Sequence, residues 1–266
     1  MTMCAHGWRS DERCPQCTGL CLGKLAARRA FGVSEFDAYL LGKPPAPPAE
    51  VAAPNVQWGV LGNDRFGDCT IAGAAHLIMA ANAELSESDP APDTARTVAQ
   101  YETITGGQDT GCVEADVLSL WRTTGLFPVR HTETADVLTN KIAAYAPVDP
   151  HSVLAVHRAI WMTGTAYIGV QLPQSAMEQF QAGRPWTVVP GSPILGGHCI
   201  LPVGYDAGGI WCVTWGQLAY VTWPWWVSNC DEVWAIVPQE AVEAGHGPGP
   251  DLDIPTLTAD LNRLAA

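Results

Sequence analysis

The cysteine at position 69 lies where a chain can hold a reactive thiol. It follows the polar, glycine-containing run Leu61-Gly-Asn-Asp-Arg-Phe-Gly-Asp68 and precedes an Ala-rich apolar stretch, Thr70–Leu85. This pattern predicts a buried helix with Cys69 in its first turn. The partial positive charge and free N–H groups of a helix N-terminus stabilise a thiolate over a thiol. Cys69 is therefore a candidate nucleophile, and the alternative is a cysteine that only packs beneath a turn.

A histidine at position 198 is the candidate base. It lies in Gly196-Gly-His-Cys-Ile-Leu-Pro-Val-Gly-Tyr-Asp206, and Val213-Thr-Trp-Gly216 follows after a hairpin turn. A Cys that opens a helix, a His that enters a strand and a later Trp-Gly pair together resemble papain-like cysteine peptidases. The Gly-Asn-Asp…Gly-Asp-Cys-Thr opening is similar to papain-like proteins coded by bacteriophages and bacteria. The resemblance covers roughly residues 55–240 and rests on these two segments.

The resemblance implies a role for each matching residue. Cys69 would be the nucleophile and His198 its base, which predicts a thiol of lowered pKa. Asn63, six positions before the cysteine, would donate to the oxyanion together with the backbone N–H of Cys69. The family's orienting asparagine falls on Val213, whose side chain cannot hydrogen-bond. The imidazole is then oriented by Thr214, by a backbone carbonyl or by nothing, since strand alternation turns Thr214 away unless a bulge intervenes.

The first 24 residues carry a separate set of possible metal ligands. Cys4-x-His6 is followed by Cys14-x-x-Cys17, and Cys21 could replace any one of the four. Two such pairs supply the tetrahedral set that structural zinc takes, and a segment with so few large apolar side chains needs a clamp of this kind. We expect structural zinc here. Reduced thiols and a disulfide are the alternatives.

Other histidines and the tryptophans have simpler interpretations. His76 lies seven residues after Cys69 on the same helical face, and we expect it to be buried and bonded to a backbone carbonyl rather than catalytic. A cluster of six tryptophans between positions 211 and 234 suggests sheet core and cleft wall, with an aromatic ligand platform as the alternative; they are Trp211, Trp215, Trp223, Trp225, Trp226 and Trp234.

Composition limits the class of protein. Of 266 residues, 47% are hydrophobic and 15% charged, and the net charge is −13. The apolar share is enough for a sizeable core, whereas the negative charge argues against nucleic-acid binding. Two long uncharged runs, 185–205 and 207–230, are interrupted by Pro, Gly and polar residues, so we expect strands rather than membrane spans. The first ten residues lack the apolar core of a signal peptide, which predicts cytoplasmic synthesis and reduced thiols.

Periodicity predicts an α+β chain in which a helical half precedes a sheet half. We place a Cys-rich head, short helices and a Pro-rich linker at 1–49, a papain-like domain at 50–240, and a Gly/Pro-rich tail with a short helix at 241–266. Helices are predicted at Leu25–Phe31, Glu35–Leu41, Thr70–Leu85, Thr94–Thr103, Glu114–Thr124 and His151–Met162. Strands are predicted at Ala166–Leu172, His198–Tyr205, Gly209–Trp215 and Val233–Val237.

These observations predict a thiol hydrolase that cleaves an amide, peptide or isopeptide bond through Cys69 and His198 and needs no cofactor for catalysis. A polypeptide is the first expected substrate, and a peptidoglycan stem peptide is the second if the protein is phage-borne. The alternative is a non-catalytic structural or binding protein of a phage particle, with protein partners in the virion. The missing amide at Val213 favours this alternative, whereas the joint presence of Cys69, His198 and Asn63 favours the enzyme.

Overall fold

The computed structural model describes residues 19–28, 32–43, 46–85, 91–130, 137–243 and 251–265. In this part of the chain the helical half comes first, with α1 (Cys69–Leu85), α2 (Thr94–Thr105) and α3 (Glu114–Thr123). Helix α1 is apolar around its circumference, and its buried residues include Ile71, Ala74, Ala75 and Leu77. A helix of this kind must be surrounded by protein, and α1 accordingly contacts α2, α3 and the sheet.

The sheet half begins with a small antiparallel pair, β1 (Leu126–Arg130) and β2 (Val137–Asn140). A six-stranded antiparallel sheet follows, in the order β3-β8-β4-β5-β6-β7. Its strands are β3 (Ile142–Val148), β4 (Ala166–Pro173), β5 (Ile194–Tyr205), β6 (Gly209–Thr214), β7 (Gln217–Thr222) and β8 (Cys230–Pro238). The α+β class and the four predicted strands are confirmed, and the long strand β5 places its residues against α1.

Further helices cover the sheet and its ends: α4 (Val153–Thr163), α5 (Gln174–Gln181), α6 (Trp223–Asn229), α7 (Gln239–Glu243) and α8 (Ile254–Ala265). The α4 boundaries follow from local chemistry, because Ser152 caps its first turn and Gly164 ends it in the left-handed conformation. Helix α8 buries Leu257 and Leu261 against its own domain. None of the described helices is long and apolar enough to cross a membrane.

The N-terminal region differs from the prediction. Residues 25–28 are not helical, and the predicted helix Glu35–Leu41 is only a short 3-10 helix, Phe36–Tyr39. The Tyr39 hydroxyl donates to Asp260 of α8 at 2.7 Å, so this helix is packed against the C-terminal one. We predicted that residues 20–25 belong to the head or to its first helix. They instead lie between the two halves of the main domain and make backbone hydrogen bonds to both.

Candidate active site

Cys69 is the first residue of α1, as the sequence predicts. The carbonyl of Asp68 accepts from the N–H groups of Ile71 and Ala72, so the helix starts directly after the Leu61–Asp68 loop. Leu61 and Gly62 of this loop have positive φ angles of 57° and 103°, which turn the chain sharply before the helix. The Cys69 side chain therefore lies at the N-terminal end of a buried helix.

The start of α1 touches strand β5 beside His198. The backbone N–H of Cys199 donates to Sγ of Cys69 at 3.4 Å. Gly73, one turn further along α1, permits this approach, because a Cβ there would lie 2.9 Å from Sγ of Cys199. The Tyr167 hydroxyl fixes the same contact by donating to the carbonyl of Thr70 at 2.6 Å. The fold thus brings Cys69 against Cys199, the residue next to His198, although the two cysteines are 130 positions apart in the chain.

The His198 imidazole is held on two sides. Its Nε2 lies 2.8 Å from Oγ1 of Thr214, and its ring stacks on the indole of Trp215 with 4.3 Å between centroids and 15° between planes. Its Nδ1 is buried and has no hydrogen-bond partner among the described residues. The sequence left three possibilities for what orients the imidazole: Thr214, a backbone carbonyl or nothing. The geometry matches the Thr214 hydroxyl.

The strand register explains why Thr214 rather than Val213 meets the ring. Leu201 pairs with Val213 across β5 and β6, so continuing the register by one residue puts Thr214 opposite Ile200. Residues directly opposite each other in an antiparallel sheet share a face, and so do residues two apart in one strand. His198 and Thr214 therefore share a face. Val213 points to the other face and is buried in the core, with 1% of its surface exposed.

Asn63 is used within its own loop. Its Nδ2 donates to the carbonyl of Phe66 at 3.0 Å, and its backbone carbonyl accepts from the N–H of Cys21 at 2.9 Å. The side chain is buried. As the chain is folded here, the amide thus stabilises the turn before Cys69, and the oxyanion role remains a prediction from the resemblance.

Burial favours the neutral forms of the Cys69 thiol and the His198 imidazole, in contrast to the predicted ion pair. It raises the pKa of the Cys69 thiol to about 12, although the N–H groups of Cys199 and Gly23 partly offset this effect. It also lowers the pKa of His198 to about 3. The prediction of a thiol with a lowered pKa is therefore wrong for this closed arrangement. The physical reason is that residues 20–25 cover the site and exclude the water that would solvate a thiolate and an imidazolium.

Residues 20–25, which we call the cleft segment, lie between the two halves. Lys24 N–H donates to the carbonyl of Gly197 beside His198, and Leu25 N–H donates to the carbonyl of Cys112. Cys112 N–H donates in turn to the carbonyl of Gly23 at 2.9 Å. At Lys24 the segment therefore forms a parallel bridge with the chain at Cys112 and an antiparallel bridge with the chain at Gly197. An extended peptide is bound by backbone hydrogen bonds on both sides, with Sγ of Cys69 beneath it.

Glycines shape the cleft to a backbone. A Cβ on Gly111 would lie 2.1 Å from the carbonyl oxygen of Gly23, and a Cβ on Gly197 would lie 2.3 Å from that of Lys24. Gly23 itself passes so close to the loop that a Cβ there would lie 1.7 Å from the carbonyl oxygen of Gly67. Any of these substitutions would force the cleft segment and the wall apart.

The remaining predictions have mixed outcomes. His76 is buried and its Nε2 lies 2.9 Å from the carbonyl oxygen of Gly59, as expected for a structural histidine. Trp215, Trp225, Trp226 and Trp234 are core residues, whereas Trp211 is 37% exposed. The predicted zinc ligands Cys4, His6, Cys14 and Cys17 lie outside the described residues. Within the described ranges no group of three or more His, Cys, Asp or Glu side chains could hold a metal ion.

The sequence analysis missed Lys24, which lies with its side chain fully buried in the cleft. It also missed the carboxylates around it, Glu114, Asp231 and Glu232. A lysine inside the apolar run Leu20-Cys-Leu-Gly-Lys-Leu25 was the available signal, because a buried lysine requires negative partners.

A Cys at the head of a central helix, a His on the facing sheet and a cleft between them define the fold of the papain-like cysteine proteases, and the chain has this fold, as predicted. It is similar to xylellain, a cysteine protease from Xylella fastidiosa, with a TM-score of 0.60 and 15% identity over 82% of this chain and 96% of that one. It is similar to procathepsin B from Trypanosoma congolense, with a TM-score of 0.54 and 10% identity over 84% and 88%.

A third similar structure holds the cysteine protease and lectin-like domains of Cwp84, a surface layer associated protein of Clostridium difficile. Its TM-score is 0.54 at 10% identity over 82% of this chain and 56% of that one. At these identities the likeness is one of fold. No family model matches the sequence, and no curated protein matches it.

Proposed function

We propose that the protein is a papain-like thiol hydrolase that cleaves an amide bond of a polypeptide through Cys69 and His198. One observation carries this proposal: Sγ of Cys69 touches the backbone N–H next to His198, while Nε2 of His198 is held by Thr214 at 2.8 Å. When the Nε2 proton is donated to that hydroxyl, the lone pair of Nδ1 is left for the proton of the thiol. The papain-like fold supports the same general function.

The reaction follows from these groups. Nδ1 of His198 takes the proton of Cys69, and Sγ attacks the carbonyl carbon of the substrate to give a tetrahedral oxyanion. The N–H of Cys69 and the amide of Asn63 are the proposed donors to this oxygen. The intermediate collapses to a thioester as the imidazolium protonates the leaving amine. Water, deprotonated by the imidazole, then hydrolyses the thioester and releases the acid and the thiol.

We infer that the cleft segment keeps the enzyme closed until it is displaced. Its backbone is hydrogen-bonded to both walls of the cleft, and the Cys69 side chain beneath it is almost fully buried. A polypeptide substrate is favoured because the cleft already binds an extended peptide. A peptidoglycan stem peptide or an isopeptide is compatible with the same chemistry.

A non-catalytic binding protein, such as one of a phage particle, is the second candidate. One observation favours it: the cleft is filled by the chain itself, since residues 20–25 are hydrogen-bonded to both of its walls. A protein of this kind would keep the fold and bind a partner without turnover. The cleavage assay below separates the two candidates.

The assay uses Gly23→Ala, which expels the cleft segment by contact with the carbonyl of Gly67 but leaves the cleft walls unchanged. We expect this variant to cleave denatured casein or a quenched peptide mixture, and we expect Cys69→Ala in the same background to abolish cleavage. Ala26→Ser, an exposed change in the adjoining chain, is the matched control and should stay closed. Absence of any cleavage by Gly23→Ala, with the fold intact, would support the non-catalytic candidate.

We also propose structural zinc held by Cys4, His6, Cys14 and Cys17, supported by their types and spacing. Four protein ligands leave no open position for water, so the metal would stabilise the head without taking part in catalysis. Protein purified without chelators should contain one zinc per chain and should lose it in Cys14→Ser. Elemental analysis that finds well under one zinc would contradict this proposal.

A further inference from the structure

The ammonium group of Lys24 is buried in a pocket of carboxylates beside the reaction centre. Its Nζ lies 2.9 Å from Oε1 of Glu232 and 3.0 Å from Oδ2 of Asp231. The Lys24 side chain has no exposed surface, and Glu232 is largely buried. Asp231 is oriented by Gln171, whose Nε2 donates to it at 2.6 Å, and Glu232 by the indole N–H of Trp234 at 3.1 Å. Both carboxylates are thus fixed by neighbours from the sheet.

The third carboxylate of the pocket is that of Glu114, at the start of α3. It is fully buried, and the thiol of Cys199 lies against it. Its charge also reaches the ammonium group of Lys24. Burial alone would lower the pKa of Lys24, but Glu232, Glu114 and Asp231 outweigh it and raise that pKa. Carboxylates from both halves of the domain therefore face one lysine side chain.

The shape of the pocket fits the aliphatic part of a lysine. Gly169 of β4 forms one wall, where a Cβ would lie 1.9 Å from Cε and 2.8 Å from Cδ of Lys24. Since any larger residue would fill this space, the glycine makes room for a long, unbranched side chain. The pocket thus combines a narrow apolar channel with a negative end.

When the cleft segment leaves, the carboxylates of the pocket lose the positive charge of Lys24 and need another cation. Burial raises the pKa of both Glu114 and Glu232, and the charge of Lys24 is what acts against this effect and favours their ionised forms. Removing one partner of a buried ion pair is strongly unfavourable because the other charge is left without compensation. A peptide that replaces the cleft segment is therefore bound best if it brings its own ammonium group.

We propose that the pocket of Gly169, Glu114, Asp231 and Glu232 selects a lysine side chain of the incoming polypeptide, in the place that Lys24 now occupies. This inference rests on the proposed function, since it names the substrate class of the same cleft. Lysine suits the pocket because its compact ammonium group can approach two carboxylates at the end of an unbranched chain.

Binding tests this selectivity without requiring turnover. The background is the full chain with Cys69→Ala and Lys24→Ala, so that it neither cleaves nor fills its own pocket. The probe is a synthetic peptide of residues 20–26 with serine in place of Cys21, compared with the same peptide carrying norleucine in place of lysine. We expect the lysine peptide to bind at least about tenfold more tightly, the usual scale for a charge-assisted hydrogen bond.

Two further variants assign this preference to the pocket. Glu232→Gln, which keeps an acceptor for Trp234, should reduce the ratio of the two affinities toward one, and Asp231→Asn should reduce it if Glu232→Gln fails to fold. Glu102→Gln, on the exposed surface of α2, should leave the ratio unchanged. Equal affinities, binding of neither peptide, or a ratio that survives both pocket variants would overturn the proposal. Lysine-selective binding by a protein that cleaves nothing would sustain the pocket and reject the peptidase.

Discussion

Oγ1 of Thr214 lies 2.8 Å from Nε2 of His198, and these two side chains share one face of the sheet. A hydrogen bond at this nitrogen orients the ring and keeps Nδ1 free to accept the proton of the thiol. Thr214→Val preserves the side-chain volume and removes the hydroxyl. We expect it to lower kcat/KM by about 10- to 100-fold in the Gly23→Ala background, the range found when the hydrogen-bond partner that orients a metal-binding histidine is removed.

Thr214→Ser provides the control for this prediction because it keeps the hydroxyl, and it should retain most of the activity. The measurement is the initial rate of peptide cleavage at fixed pH, with melting temperatures to show that both variants are folded. Equal rates for Thr214→Val and the parent would exclude the hydroxyl from the orienting role.

Restoring the family's asparagine at Val213 should harm this protein rather than improve it. Val213 is buried on the face opposite His198, so an asparagine there would place an amide in the core without a partner. The expected cost is about 1–3 kcal/mol in the free energy of unfolding, with no gain in cleavage rate. Urea denaturation of Val213→Asn measures the cost. A variant that is both as stable and more active than the parent would show that the register argument fails.

Lys24 should control access to Cys69. Lys24→Met keeps the unbranched shape and most of the length of the side chain but leaves the buried carboxylates without a cation, so the cleft segment should leave more often. We expect iodoacetamide to label Cys69 at least about tenfold faster in Lys24→Met than in the parent at pH 8, because one factor of ten corresponds to only about 1.4 kcal/mol. Mass spectrometry of the peptide that contains residue 69 gives the rate.

Arg28→Met is the matched control for Lys24→Met, since it also replaces a cation near the cleft segment. Arg28 is 61% exposed and pairs with Asp116 at the surface, where such pairs contribute little. Its labelling rate should equal that of the parent. If both variants label alike, the buried ion pairs do not hold the segment in place.

Asp68 should make stability depend on pH. Burial raises its pKa to about 8, from an ordinary value of 3.8. Between these values the folded chain keeps a proton that the unfolded chain has lost, so the contribution of this carboxyl to stability falls as the pH rises. Relative to the parent, Asp68→Asn should gain stability over this interval by up to about 1.4 kcal/mol per pH unit. Urea denaturation at several pH values tests this, and stability curves that stay parallel would contradict it.

Local patterns predicted the elements that carry the candidate site. An apolar run without a polar face predicted α1, and the β-branched run after His198 predicted β5, because each pattern is sufficient without knowledge of distant residues. Strand β3 was missed, since its sequence Ile142-Ala-Ala-Tyr-Ala-Pro-Val148 is alanine-rich and contains proline. It becomes a strand by pairing with β8, and even the register pair nearest in sequence, Val148 with Val233, is 85 positions apart.

The parts of the site that the sequence did not predict depend on long-range contacts. The choice between Val213 and Thr214 required the register of β5 against β6. The neutral state of Cys69 could be predicted only by knowing that residues 20–25 cover it. No local pattern in the sequence joins these residues to Cys112 and Gly197. The lysine pocket likewise draws its carboxylates from α3 and β8, which meet only in the folded chain.

The central claim is that Cys69 and His198 form a reacting pair once the cleft is open. Its most direct test is the pH dependence of iodoacetamide labelling of Cys69 in Gly23→Ala, with and without His198→Ala. With the histidine present, we predict that the pKa of Cys69 lies well below the value of about 8.5 of a free cysteine. Labelling should then already be fast at about pH 6. Loss of the histidine should move the labelling profile up to about pH 8.5 or higher. Identical profiles for the two variants would contradict the pair.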